Sequence, residues 1–179
     1  SKEAIGYVNE DTVRAMMKAM REGALVASVA INEIRDLVAR GCVSNTFVMW
    51  HLPSLLQIGG FDIRDVKPLP GDESHVVPYW PEGHDYSEEP LWMHDAGVGE
   101  VLPACHLFRE FERPVIAPIL PQGDVVQGSY QQESENSDRV AWNRAKFATK
   151  KARLESILKR SGYSLEALEK AVMPQYRHW

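Results

Sequence analysis

Residues 9–41 read NEDTVRAMMKAMREGALVASVAINEIRDLVARG, and how this stretch divides decides the architecture of the N-terminal part. Asn9 or Asp11 offers a side-chain oxygen to the unpaired N–H groups of a first helical turn. Val13, Met16, Met17 and Met20 then recur at the spacing of one helix face, and Gly23 is a natural stop. Beyond Gly23 the pattern predicts a second helix from about Ala24 to Arg40, with Val26, Val29, Ile34, Leu37 and Val38 inward and Gly41 at its end. So short a turn joins antiparallel neighbours, so residues 9–40 are expected to form a helical hairpin. The methionine stripe fills a core in one reading and offers a flexible thioether surface to a partner in the other.

Working outward, residues 42–60 carry two signals. Phe47-Val48-Met49-Trp50 favours a strand by residue type. Ser54 to Ile58, after Pro53, favours a short helix stopped by Gly59-Gly60. Phe61 to Val66 alternates in and out like a half-buried strand. From 68 to 103 the prolines at 68, 70, 78, 81, 90 and 103 argue against long helices, because each ring removes a donor and crowds the preceding turn. Ala104 to Glu112 has room for one or two helical turns before Pro114, and Val115-Ile116-Ala117 with Asp124-Val125-Val126 reads as a hairpin. After a polar linker at 131–137, Ser137 caps a long helix at about 138–161, which Gly162 closes. Ser164 caps a final helix that ends before Pro174, with Tyr163 placed to pack on Leu168.

The expected fold is therefore α+β, in one domain over residues 1–179. A helical hairpin (9–40) comes first, followed by a small antiparallel sheet with Pro-rich loops (61–130). A linker (131–137) leads to a helical pair (138–173). The chain has 179 residues, 44% of them hydrophobic and 25% charged, which suits a packed domain and excludes disorder throughout. Its two cysteines, Cys42 and Cys105, give no disulfide framework. With no apolar run near membrane-spanning length and no leader pattern, the expectation is a soluble, cytoplasmic protein with no membrane partner.

The net charge of −5 conceals a strong segregation. Residues 1–64 balance at seven charges of each sign. Residues 65–138 hold fifteen acids against three bases, and residues 139–179 hold ten bases against three acids. Asymmetry of this size points to partner surfaces. On the long helix, Arg139, Lys146, Lys150, Arg153 and Arg160 follow at steps of seven, four, three and seven, which return to one side of a 3.6-residue period. Val140, Phe147, Leu154 and Leu158 form an apolar stripe for docking on the body, and Trp142 lies near the start of the basic stripe. That stripe can meet the chain's own acidic segment, in the same molecule or a second copy, or a nucleic-acid backbone.

In the acidic segment, GHDYSEEPLWMHD (83–95) holds two His-Asp pairs. His75, His84, Asp85, His94, Asp95 and His106 supply enough nitrogen and carboxylate ligands for a divalent transition metal. The pairs are ten residues apart with Pro90 between them, not four apart on one helix face, so the spacing is not that of a metal helix. Tyr79, Trp80, Tyr86 and Trp92 lie in the same stretch. Loop aromatics either plug the sheet or form a recognition surface, and the neighbouring histidines would make such a surface pH-responsive.

No dinucleotide cradle, Walker loop, nucleophile elbow or C-x-x-C occurs. Cys105 and His106 are adjacent, which sends their side chains apart, and the apolar neighbours of Cys105 mark a structural thiol. The sequence thus predicts a non-enzymatic binding or regulatory protein without a cofactor. It would act through Tyr79, Trp80, Tyr86 and Trp92 of an acidic loop (79–95) and Arg139, Trp142, Lys146, Lys150, Arg153 and Arg160 of a basic helix (139–160). Its partner would be another protein or a second copy, forming a homodimer. A metal-dependent hydrolase using the His/Asp residues, and a nucleic-acid-binding accessory protein using the basic helix, are the alternatives.

Overall fold

A computed structural model describes residues 9–29, 47–62, 101–120 and 154–177 of the chain. Helix α1 (Glu10–Arg21) starts at Asn9, whose side chain accepts the Thr12 N–H at 2.8 Å. Its end is set by Gly23, at φ +103°. The Gly23 N–H donates to the Met20 carbonyl and the Ala24 N–H to the Ala19 carbonyl, a Schellman closure with both alanines buried. Met16 is buried and Met20 partly so, whereas Met17 points to solvent, so only part of the methionine stripe fills the core.

The chain leaves that turn as a strand. Strand β1 (Val26–Val29) replaces the first part of the expected second helix, so the helical hairpin fails at this point; residues 30–40 lie outside the described residues. The reason is burial on both faces. Val-Ala-Ser-Val is covered above and below, so it lacks the in-out alternation that marks a half-buried strand, and such a run has the same hydrophobic signature as a buried helix.

Strand β2 (Val48–Trp50) pairs antiparallel with β1, Ala27 opposite Met49. Strand β3 (Ile116–Ile119) pairs with its other edge in parallel, Val26 opposite Ile116 and Val29 opposite Ile119. The order is β2-β1-β3, so the sheet is mixed where an antiparallel one was expected. Helices with this small sheet make the protein α+β. Phe61 and Asp62 are not in a strand, and the rest of the alternation expected at 61–66 lies outside the described residues, as does the second arm of the hairpin expected at 124–126.

Strand residues divide by parity between two cores. Ala27, Val29, Ala117 and Ile119 pack with Met16 and Ala19 of α1 and with Met173. Val26 and Ile116 pack on the opposite side against Leu102, Cys105 and Leu107 of helix α3 (Val101–Phe111). The same core takes in Leu154, Ile157 and Leu158 of the helical stretch 154–160, and Leu168 and Ala171 of helix α4 (Leu165–Ala171). Each fully buried Leu, Ile or Val contributes about 1.5–3 kcal/mol relative to exposure.

Two prolines sit inside regular elements. Pro103 falls in the first turn of α3, where a helix has no N–H to lose, so α3 reaches back to Val101. Pro118 lies in β3, two residues after Ile116, whose carbonyl accepts from Met173 N–H on the side away from β1. Residues two apart face the same edge, so the missing Pro118 N–H removes no rung to β1.

Several further local expectations hold, while the linker expected at 131–137 and residues 138–153 of the expected long helix lie outside the described residues. Helix α2 (Leu52–Gln57) carries Pro53 in its first turn and is followed by Gly59 and Gly60, both at positive φ. Ser164 caps α4 by accepting from Ala167 N–H. Val172, just past α4, bridges to Ile116 beside β3, and Pro174–Tyr176 forms one 3₁₀ turn. Among the described residues, no helix is long and apolar enough to cross a membrane.

Candidate functional site

A polar cluster joining α3 to the turn before α4 centres on His106. Helix α3 turns Cys105 inward, where it is buried, and His106 toward the surface, so the two neighbours diverge as their adjacency predicts. Burial pushes the Cys105 thiol up to about 12, against the weaker opposing pull of Arg109. It is a structural thiol, not a nucleophile.

One turn on, at i+3, Arg109 shares the His106 face. The third member comes from the turn after the helical stretch 154–160. There Gly162, at φ +77°, gives its N–H to Lys159, and Tyr163 N–H donates to the Leu158 carbonyl at 2.8 Å. This second Schellman closure fixes the Tyr163 backbone, and the aromatic side chain lies against the core beside α3.

The geometry assigns the hydrogen-bond roles. Arg109 Nη2 lies 3.3 Å from His106 Nδ1, and a guanidinium only donates, so Nδ1 carries the lone pair. The Tyr163 hydroxyl, 2.7 Å from the same nitrogen, therefore also donates. Burial pushes the Tyr163 phenol up, with Arg109 opposing and Cys105 adding to the rise, so the proton needed for that bond is retained. The imidazole and phenol rings meet edge-on at 5.4 Å, and the Arg109 guanidinium lies 5.0 Å over the Tyr163 ring. A cation, a neutral acceptor nitrogen and a phenol are thus held together at the surface.

Of the residues expected to hold a metal, His106 is the one described; His75, His84, Asp85, His94 and Asp95 lie outside the described residues. The Nδ1 atom of His106 faces two donors, one of them cationic, which is no setting for a divalent ion at that nitrogen. Tyr79, Trp80, Tyr86 and Trp92 of the acidic loop, and Arg139, Trp142, Lys146, Lys150 and Arg153 of the basic helix, also lie outside. Arg160 is half-buried on the flank of the stretch 154–160, whose exposed side carries Glu155 and Lys159.

Sequence reasoning named His106 but missed Arg109 and Tyr163. The i+3 spacing of His106 and Arg109 was available as a signal, and so was the glycine before Tyr163; the meeting of 106 with 163 was not. Compared with known protein families, with curated proteins and with solved structures, the chain matches none of them.

Proposed function

We propose that the protein is a non-enzymatic binding or regulatory protein that acts through charge-segregated surfaces. The basic helix, 139–160, and the acidic aromatic segment, 79–95, are the places where a partner lands. The observation that carries this reading is the segregation itself: fifteen acids against three bases in residues 65–138, and ten bases against three acids in residues 139–179. Opposite charges so divided attract an oppositely patterned surface over about 10 Å in ordinary salt, and a second copy of the chain offers that pattern.

The test is to replace Lys146, Lys150 and Arg153 together by glutamine. Sedimentation of the native and substituted proteins is then compared at low and high salt, alone and with duplex DNA. A salt-labile complex formed by the native protein and not by the variant supports the proposal. Complex formation with DNA alone transfers the basic helix to a nucleic-acid accessory role.

A further inference from the structure

We propose that Arg109, set by His106 and Tyr163, is an oxyanion-binding site, for the chemistry shared by carboxylates and phosphate monoesters. This goes beyond the charge-segregated surfaces, because Arg109 belongs to neither of them.

The first ground is that the guanidinium is already positioned. It is placed on one side by the Tyr163 ring at 5.0 Å and tethered through Nη2 to His106 Nδ1 at 3.3 Å. A long flexible side chain normally loses much rotamer freedom when it closes on a ligand; a stacked and tethered one loses less. The second ground is that no carboxylate of the described residues neutralises the cation. Among the described residues no carboxylate pairs with Arg109: Glu110, next in sequence, is held by Gln57 Nε2 at 2.9 Å, and Glu166 is held by Lys170 Nζ at 2.6 Å. Other exposed cations with an acid in reach take it, as Arg14 takes Glu10 and Lys18 takes Glu22.

The third ground is donor geometry. A guanidinium presents five N–H groups in a planar fork, and the His106 contact uses one. The remaining donors suit two oxygens of a carboxylate or phosphate at once. The stacked ring supports one face of the guanidinium, so a ligand approaches in its plane, and the Tyr163 hydroxyl is committed to His106. The ring, rather than the hydroxyl, is the positioning element.

The full-length protein is titrated with sodium phosphate and, separately, sodium acetate at constant ionic strength. The ring C–H signals of His106 report binding by NMR in every variant. Saturable shifts with at least one anion are expected. A response to phosphate alone identifies a phosphate-monoester ligand, and a comparable response to acetate a carboxylate one. Arg109→Gln abolishes the response, and Arg109→Lys, which keeps the charge without the fork, weakens it about tenfold. The site is overturned if neither anion gives a saturable shift, or if Arg109→Gln responds like the native protein while its amide spectrum elsewhere is unchanged. Either result leaves the role of residues 139–160 untouched.

Discussion

The Tyr163 hydroxyl stands 2.7 Å from His106 Nδ1, a contact between residues 57 positions apart that ties α3 to the turn before α4. That contact depends on Gly162. At φ +77° a side chain is strained, and a Cβ there would meet nothing within 4 Å, so the penalty of a substitution is backbone strain alone. Gly162→Ala is expected to lower unfolding free energy by about 1 kcal/mol, and Gly162→Asn by less, read from urea denaturation midpoints. Equal stability of the alanine variant would show that this turn does not hold a left-handed residue.

Glu112 offers the converse change. It follows α3 at φ +50°, the one positive-φ position among the described residues that is not a glycine. Glu112→Gly is expected to raise stability by about 0.5–1 kcal/mol, the relief of strain outweighing the added freedom of the unfolded chain. Thermal unfolding checks this, with a rise of a few degrees predicted.

How much of this was legible in the sequence follows from what each residue does locally. Asn9, Gly23, Pro53, Gly59, Gly162 and Ser164 act on their own turn, so their roles could be read without knowing the neighbours. Val26–Val29 could not be read, because its burial on both faces is supplied by α1 on one side and by α3 on the other. Parallel pairing of Val26 with Ile116 leaves no local signature. At the candidate site, His106 stood out as a residue type, but the tyrosine that receives it lies in a distant turn.

Two raised pKa values predict alkaline behaviour. Cys105 is pushed from 9.0 up to about 12 by burial, and Tyr176 from 10.0 up to about 12 by burial and by its hydrogen bond to Glu22. The folded state keeps protons that the unfolded chain releases, so their contribution is full below about pH 9 and is lost as pH rises toward 12. Denaturation midpoints are expected to fall across that window. The fall should be shallower in Tyr176→Phe, and an unchanged slope would refute its share. Peptide mapping after iodoacetamide treatment at neutral pH should find Cys105 unmodified in the folded protein and modified in urea.

The metal-dependent alternative has its own direct check. Protein purified without an affinity tag is expected to carry no stoichiometric transition metal by elemental analysis. A full equivalent of zinc, manganese or iron would instead favour a metal-dependent hydrolase built on His75, His84, Asp85, His94, Asp95 and His106.

The central claim is that the division of charge along the chain makes its binding surfaces, and sedimentation across a salt series tests it most directly. The native protein should form a complex with itself or with an oppositely charged partner at about 0.05 M salt and lose it by about 0.5 M, while the variant with glutamine at 146, 150 and 153 should form none. A native protein that stays monomeric and unbound at every salt concentration, or a variant that associates as well as the native chain, would contradict it.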